Sequence, residues 1–234
     1  MAKILIVPDV HGRKFWRRAE ELVNCVDHIV FLGDYLDPYS EEGVTFEDAV
    51  EQFSKIVAFK EENPNLVTLL VGNHDLHYII SDFMNCSRLN TVLRPHLHEL
   101  YNHYLDLFEL TYTFDNWLFS HAGVYKEWMD KYELTLEDLQ LKKFIASQWP
   151  ALEDLSWFRG GYNPVGSCVW ADIRESVKHD LIPNYKQIVG HTQLNEKPYI
   201  TDNIACLDVR KCFILDTETN EINEPSEELS QTTN

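Results

Sequence analysis

The sequence predicts an α/β fold in which two β-sheets pack together and helices lie outside them. In the first half of the chain, short apolar runs alternate with segments of helical period. This pattern is typical of βαβ units and a largely parallel sheet. In the second half, apolar runs come in pairs separated by short turns, which indicates β-hairpins and therefore a second sheet.

The first half is predicted to supply three strands and two helices. Strands are expected at Lys3–Val7, His28–Leu32 and Asn65–Val71, each a short apolar run. Between them, residues 13–25 and 45–60 carry apolar side chains at the spacing of one helix face. This order of elements predicts parallel pairing of the three strands.

The second half is predicted to hold two further helices, one single strand and two hairpins. The helices are expected at His96–Phe108 and at Leu136–Trp149, where Pro150 ends the second one. The strands are expected at Leu110–Phe114 and Trp117–Ser120 in a first hairpin, at Tyr185–Val189, and at Ile204–Leu207 with Cys212–Leu215 in a terminal hairpin.

Length and composition are those of one globular domain. The chain has 234 residues, 44% of them hydrophobic, which is enough to fill a sizeable core. Its apolar runs are shorter than the ~18 residues of a membrane span, and the first apolar stretch is too short for a signal peptide. We therefore expect a cytoplasmic protein without a membrane partner. The five cysteines, an odd number without a CxxC pair, are expected to be buried free thiols.

The chain is strongly acidic. Its formal net charge is −18, from 20 basic and 38 acidic residues. The electric field of such a negatively charged protein repels nucleic-acid phosphates, so a nucleic acid is not expected as a stable partner. From Asp216 onward the sequence carries acidic residues and no lysine or arginine. Residues 1–215 are therefore predicted to form the domain, and residues 216–234 an acidic, partly disordered tail.

Polar side chains and a glycine follow five of the predicted strands. Ligand sites in α/β sheets lie at the carboxyl ends of strands, so we expect these turns to surround one site. A single Asp-x-His, Gly-Asp or His has an ordinary explanation as a turn or a hydrogen-bonded side chain, but five in this order do not. The turns are Asp9-Val10-His11-Gly12, Gly33-Asp34-Tyr35-Leu36-Asp37, Gly72-Asn73-His74-Asp75, His121-Ala122-Gly123 and Gly190-His191.

These side chains predict a metal site. The set mixes carboxylate and amide oxygens with imidazole nitrogens, which suits manganese, iron or zinc better than magnesium alone. Several such groups in one place make two ions plausible. Two ions about 3.5–4 Å apart can clamp a phosphoryl group and activate a water molecule.

The order of the motifs resembles the calcineurin-like metallophosphoesterase superfamily over positions 9 to 193. The segments PDVHG, LGDYLD, VGNHD, SHAG and VGHTQ look most like the branch that holds protein serine/threonine phosphatases and bacterial symmetrical diadenosine tetraphosphatases. The resemblance implies a four-layer αββα sandwich of two mixed β-sheets. It also implies two divalent metal ions as cofactors, with Mn²⁺ favoured and Fe, Zn, Ni or Co as alternatives.

The resemblance assigns a role to each motif residue. Two residues would bind the first ion alone, one would bridge both ions, and three would bind the second ion. In that order these ligands are Asp9 and His11, then Asp34, then Asn73, His121 and His191. His74 would protonate the leaving oxygen. Asp37 would orient the His74 ring through a hydrogen bond, although Asp37 could also be a turn residue before Pro38. Asn73 and His74 would also help to hold the phosphate.

Two positions depart from the pattern. Many superfamily members carry a further histidine where this chain has Gln193, but the phosphatase branch also lacks it. That branch follows Gly-Asp-x-x-Asp with an arginine that grips phosphate, and here the position is Pro38. Substrate binding is therefore predicted for Arg159, which resembles the Trp-x-Arg of bacterial phosphatases, or for Arg174, although either could be a surface ion pair. Arg13 is a further candidate, although it could be only a helix-start residue.

The sequence thus predicts a dinuclear metal-dependent phosphohydrolase that uses a metal-bridging hydroxide and His74 as general acid. A phosphomonoesterase acting on a phosphoprotein or a small molecule is favoured. A dinucleoside polyphosphate hydrolase or a phosphodiesterase is the alternative. A non-catalytic metal-binding scaffold is less favoured, because all six ligand positions are intact. The substrate partner is therefore a phosphate ester, and the sequence gives no prediction of oligomeric state.

Overall fold

Two β-sheets pack against each other in the structure, a computed structural model that describes residues 2–226. In chain order the strands are β1 (Lys3–Val7), β2 (His28–Phe31), β3 (Val67–Leu70), β4 (Phe108–Glu109), β5 (Thr111–Phe114), β6 (Trp117–Ser120), β7 (Lys186–Val189), β8 (Tyr199–Ile200), β9 (Ile204–Cys206), β10 (Phe213–Asp216) and β11 (Glu221–Asn223).

Six α-helices and several 3₁₀ turns connect the strands of the described chain. The helices are α1 (Arg18–Leu22), α2 (Phe46–Glu62), α3 (Asn73–Ile79), α4 (Arg94–His103), α5 (Lys126–Lys131) and α6 (Leu141–Ser147). The longest, α2, starts at a capping box in which Thr45 Oγ1 accepts from the Asp48 N–H and the Asp48 carboxylate accepts from the Thr45 N–H. No helix between residues 2 and 226 is long and apolar enough to cross a membrane.

Both sheets are mixed. The first has the order β11-β10-β1-β2-β3-β4, in which β1 to β4 run parallel and β10 and β11 add an antiparallel edge. The second has the order β5-β6-β7-β9-β8, in which β6, β7 and β9 run parallel. The parallel strands β1, β2 and β3 therefore end at one edge, and β6 and β7 end together in the other sheet.

Alternate side chains of a strand pack into different cores, because successive side chains point to opposite faces of the sheet. In β1, Ile4 and Ile6 pack between the sheets with Phe119 of β6. Leu5 and Val7 point the other way, into the core that also holds the buried residues of α1 and α2. The four-layer αββα arrangement predicted from the sequence is confirmed.

The predicted terminal hairpin is wrong. Ile204–Cys206 (β9) pairs with β7 and β8 in the second sheet, whereas Phe213–Asp216 (β10) pairs with β1 in the first. The segment between them crosses from one sheet to the other. The hairpin partner of β10 is β11, which the sequence analysis had placed in the acidic tail.

The chain stays in the fold beyond the predicted domain boundary at residue 215. Asp216 is the last residue of β10, and Glu221–Asn223 extends the first sheet as β11. Ile222 of β11 packs against the hydrophobic cluster between the sheets. This contact explains why the acidic segment pairs with the first sheet. Residues 227–234 of the predicted tail lie outside the described residues.

Other elements differ in their bounds. The predicted helix over Leu136–Trp149 is α6 between two 3₁₀ turns, because Gln140 has an extended backbone (φ −89°, ψ 120°). Helix α3 was not predicted. It starts directly after Gly72, at the residues treated above only as a motif. Four of the five cysteines are buried free thiols, and Cys25 is partly buried.

Candidate metal centre

The five predicted turns come together at the carboxyl ends of the strands. Asp9, Asp34 and Asn73 follow β1, β2 and β3, while His121 and His191 follow β6 and β7. All except His191, which is half-buried, have less than 3% of their surface exposed. The fold thus gathers side chains from both sheets into one buried polar cluster.

The backbone is left-handed at four of the motif residues. The φ angles are +44° at His11, +55° at Asp34, +58° at Asp37 and +61° at His191. Residues other than glycine seldom adopt this conformation, which costs about 1–3 kcal/mol each and is concentrated at functional sites. Four of the predicted site residues therefore carry backbone strain, as do other loop residues such as Arg88.

Two glycines let the backbone approach the carboxylates closely. A Cβ atom at Gly72 would lie 2.1 Å from Asp34 Oδ1, and one at Gly190 would lie 2.1 Å from Asp9 Oδ1. Any larger residue would displace these carboxylates, which explains why glycine accompanies the polar residues in these turns.

One group of ligand atoms comes from Asp9, His11 and Asp34, and these atoms all lie within 4.8 Å of one another. The His11 Nδ1–H donates to the Leu36 carbonyl at 2.7 Å, so its Nε2 lone pair faces Asp34 Oδ2 at 3.5 Å. The Asp9 carboxylate accepts the His191 N–H at 2.9 and 3.1 Å. Lone pairs and negative oxygens therefore converge, which is a fit for a cation.

Burial is the main cause of the unusual pKa values in this group. It lowers the pKa of His11 well below its ordinary value and raises the pKa values of Asp9 and Asp34 well above theirs. A neighbouring carboxylate adds to each increase, Asp208 for Asp9 and Asp75 for Asp34. Buried carboxylates this close together need a positive partner, and a divalent cation would supply it.

A second group surrounds His121. Its Nδ1–H donates to the Leu32 carbonyl at 2.7 Å, which leaves the Nε2 lone pair free. This Nε2 lies 3.1 Å from Asn73 Oδ1, 3.1 Å from His191 Nδ1 and 3.6 Å from Asp34 Oδ2. Four groups that ligate metals therefore face one point.

The amide of Asn73 is turned so that its oxygen faces this point. Its Nδ2 donates to the Cys86 sulfur at 3.6 Å, and Oδ1 is thereby directed towards His121. Burial lowers the pKa of His191 well below its ordinary value, which keeps that ring neutral. Neutral imidazoles and an amide oxygen are the forms in which these groups bind metals.

Asp34 belongs to both groups. Its Oδ2 lies 3.5 Å from His11 Nε2 and 3.6 Å from His121 Nε2, while its Oδ1 accepts the His74 N–H at 2.9 Å. One carboxylate oxygen thus lies between two sets of ligand atoms, as a residue bridging two ions would. The residues present fit a pair of divalent ions.

Beside these groups, His74 and Asp37 form a hydrogen-bonded pair. His74 Nδ1 donates to Asp37 Oδ2 at 2.7 Å, and Asp37 is fully buried. His77 Nε2 lies 2.9 Å from the same oxygen, and the Tyr78 hydroxyl donates to Asp37 Oδ1. These contacts hold His74 and His77 close to Asp37, and they turn Nε2 of His74 away from Asp37.

Asp37 accepts a hydrogen bond from His74, but burial opposes a charge on the His74 ring. Burial lowers the pKa of His74 to about 4, although the hydrogen bond to Asp37 acts in the opposite direction. Burial would raise the pKa of Asp37, but its hydrogen bonds with His74 and His77 lower it. These shifts favour a neutral His74 ring beside an ionised Asp37.

Two supporting residues were missed by the sequence analysis. Asp75 Oδ2 accepts the N–H groups of Asp34 and Gly72, both at 2.7 Å, and its Oδ1 accepts the Tyr101 hydroxyl at 2.6 Å. It therefore ties the turn after β2 to the turn after β3. His77, described above, lies one helical turn after His74. Only the Gly-Asn-His-Asp motif itself could have indicated Asp75.

The predicted substrate-binding arginines lie beside carboxylates. Arg174 holds Asp172 through two hydrogen bonds of 2.7 and 2.9 Å, and Arg13 holds Glu42 through bonds of 2.6 and 3.1 Å. Arg159 lies 3.0 Å from Asp172 and donates to Thr192 Oγ1 at 2.8 Å, directly after His191. Of the three, Arg159 and Arg13 adjoin the cluster, since Arg13 also donates to the Asp9 carbonyl at 3.2 Å, whereas Arg174 is exposed.

Comparison with known proteins gives a family match. The model of the calcineurin-like phosphoesterase family matches residues 2–194. No curated protein matches the sequence significantly.

Solved structures give matches at low identity. A cold-active protein-tyrosine phosphatase of the psychrophile Shewanella sp. is similar with a TM-score of 0.62 and 15% identity, over 93% of this chain and 76% of that one. A protein serine/threonine phosphatase from Saccharomyces cerevisiae is similar with a TM-score of 0.59 and 16% identity, over 96% of this chain and 80% of that one. At these identities the similarity concerns the fold.

Proposed function

The chain belongs to the calcineurin-like phosphoesterase family and is a phosphoester hydrolase, and on that premise we propose that it is a dinuclear metal-dependent phosphomonoesterase. The observation that carries the proposal is the position of Asp34 Oδ2, 3.5 Å from His11 Nε2 and 3.6 Å from His121 Nε2. This family depends on two metal ions, and a shared carboxylate oxygen between two sets of ligand atoms suits such a pair.

The proposed ligands follow the two groups of atoms. Asp9, His11 and Asp34 would hold one ion, and Asp34 with Asn73, His121 and His191 the other. The mixed oxygen and nitrogen donors favour Mn²⁺, with Fe, Zn, Ni or Co as alternatives. When bound, such ions polarise phosphoryl oxygens and lower the pKa of a water molecule to about 7.

His74 is proposed as the general acid and Asp37 as the residue that positions it. The Nδ1–H of His74 is engaged by Asp37, so a proton can be exchanged only at Nε2. The negative charge of an incoming phosphate favours the imidazolium form, which opposes the effect of burial. A proton taken up at Nε2 can then pass to the leaving oxygen.

A monoester is the favoured substrate because of its charge. Its phosphate carries nearly two negative charges near pH 7, and guanidinium groups together with two cations match a doubly charged group better than a diester.

Arg159 is the stronger of the two arginines predicted to bind substrate, since it adjoins the His191 turn, whereas Arg174 is committed to Asp172. Asn73 remains proposed as a phosphate contact. Phosphoproteins and small molecules are both retained as substrates.

A panel of phosphate esters with added manganese tests the proposal. It comprises nitrophenyl phosphate, its bis ester, a phosphopeptide and diadenosine tetraphosphate. We expect kcat/KM on the monoesters to exceed that on the other two substrates by at least about tenfold. Faster hydrolysis of the bis ester or of diadenosine tetraphosphate would establish the alternative, a phosphodiesterase or a dinucleoside polyphosphate hydrolase. Absence of turnover by manganese-loaded protein would leave the non-catalytic scaffold.

A further inference from the structure

Arg88 lies beside the site, although no sequence motif marks it. Its NH2 group lies 3.4 Å from His74 Nε2, and its Nε donates to the Asp37 carbonyl at 2.9 Å. Its guanidinium carbon lies 3.7 Å from the centre of the Tyr39 ring, in the position of a cation–π contact. The Tyr39 ring in turn meets the His11 ring edge to face, with 5.1 Å between centroids.

Arg88 differs from the other arginines near the site in its charge balance. Arg13 is paired with Glu42, and Arg159 with Asp172. Within residues 2–226, no carboxylate forms an ion pair with Arg88, whose remaining side-chain partner is the Ser87 hydroxyl at 3.3 Å. A half-buried guanidinium therefore faces a buried cluster of acceptors without an anion of its own.

The loop that carries Arg88 is held firmly against the site. The Asn90 N–H donates to the Tyr78 hydroxyl, and the Cys86 N–H donates to His77 Nδ1, both on α3. Arg94 donates to the carbonyl of His77 at 3.1 Å. Arg88 itself has a left-handed backbone with φ +64°. This loop is thus fixed to the helix that begins with Asn73 and His74.

We propose that Arg88 binds the phosphate group of the substrate and that Tyr39 holds the guanidinium in place. The inference rests on the proposed function of this site. A guanidinium can donate two parallel N–H groups to one phosphate, which a lone ammonium cannot do. Arg88 would occupy the role left open by Pro38, since Tyr39 is the next residue and supplies the surface on which the guanidinium rests.

A purely structural role for Arg88 makes a different prediction. If Arg88 acted only by orienting His74 through the 3.4 Å contact, its loss would reduce turnover far more than it weakens phosphate affinity. A binding measurement with inorganic phosphate therefore separates the two roles without relying on catalysis.

The test is calorimetric titration of inorganic phosphate into manganese-loaded protein. Arg88→Ala should weaken phosphate affinity by about tenfold or more. Arg88→Lys should weaken it by less, because the positive charge remains but the two parallel N–H donors are lost. Arg17→Ala, which removes the same charge from an exposed position, should change affinity by less than about twofold. Metal content, measured by mass spectrometry, should be equal in all four proteins.

Tyr39 provides a second pair of variants. Tyr39→Phe keeps the ring and should keep phosphate affinity, whereas Tyr39→Leu removes the cation–π contact and should weaken it by about threefold. Equal affinity in Arg88→Ala and Arg17→Ala would overturn the inference, as would a manganese-loaded parent protein that does not bind phosphate. If the parent binds phosphate and hydrolyses no ester, the proposed function fails, while the affinities still decide the role of Arg88.

Discussion

Backbone groups fix the orientation of the proposed ligand side chains one by one. His11 and His121 each donate Nδ1–H to a carbonyl, of Leu36 and Leu32, and so present Nε2 to the cluster. Asp34 is held through the His74 N–H. Such outer partners set the tautomer and direction of metal-binding histidines. The protein's own backbone therefore orients these side chains towards the cluster.

His74 provides the sharpest test at the scale of single residues. An alkyl phosphate leaves as a strongly basic alkoxide and needs a proton, whereas nitrophenolate is a weak base and needs little help. His74→Asn should therefore lower kcat about 10²–10⁴-fold on an alkyl phosphate and clearly less on nitrophenyl phosphate, with metal content unchanged. Comparable losses on both substrates would withdraw the acid role and leave His74 as a phosphate contact.

The sequence predicted the motif residues of the site but not their support. Asp9, Asp34 and His121 each follow an apolar run directly, so strand periodicity alone places them at a strand end. Asp75 belongs to the Gly-Asn-His-Asp motif, but nothing local marks its supporting role, and Arg88 lies in no motif. Their roles come from hydrogen bonds to the turn after β2 and from a loop folded back over α3, and periodicity does not describe these contacts.

At the scale of elements, local patterns identified strands better than their partners. β9 and β10 are two short apolar runs separated by a few residues, which is the pattern of a hairpin. Each instead completes a different sheet, since Ile214 and Leu215 pair with Leu5 and Ile4 of β1. Pairing is decided by which surface remains uncovered in the folded molecule, and this is a property of tertiary structure.

The edge strand β11 should contribute measurably to stability. A chain ending at Asp216 loses the pairing of β10 with β11 and the packing of Ile222. We expect its free energy of unfolding in urea to fall by about 1–3 kcal/mol relative to a chain ending at Ser226. The shorter chain should also aggregate more readily, because β10 becomes an exposed edge. Equal unfolding curves for the two truncated chains would show that β11 is not a working part of the sheet.

A contact between the sheets should make stability depend on pH. His28 of β2 stacks on Tyr112 of β5, with ring centroids 4.6 Å apart, and shares a hydrogen bond with Thr68. Burial, assisted by the charge of Lys60, lowers the pKa of His28 from 6.5 to about 4. Between these values the unfolded chain binds a proton at His28 and the folded chain does not, so this contribution to stability falls as pH falls.

The variant His28→Gln isolates this contribution, because glutamine does not titrate. Between pH 7 and pH 4, its free energy of unfolding should fall less than that of the parent by on the order of 1 kcal/mol, a modest value because the ring is half exposed. Urea unfolding at both pH values measures the difference. The same pH dependence in both proteins would mean that His28 is free to take up a proton in the folded state.

For the molecule as a whole, a strongly acidic chain handles an anionic substrate. The net charge of −18 repels anions at long range. Close to the cluster, however, Arg13, Arg88 and Arg159 surround the buried acceptors. Specific local cations thus oppose an unfavourable overall field, which suits a small phosphate group better than an extended polyanion.

Metal dependence tests the central claim most directly, namely that hydrolysis depends on two ions sharing Asp34. Manganese content by mass spectrometry and nitrophenyl phosphate hydrolysis should be measured on the same samples before chelation, after chelation and after reloading. We predict two manganese ions per chain, loss of both metal and activity on chelation, and recovery of both on reloading. Asp34→Asn should lower the occupancy of both ions, because it weakens one ligand common to the two sites. Hydrolysis at the full rate by protein shown to be free of metal would contradict the claim.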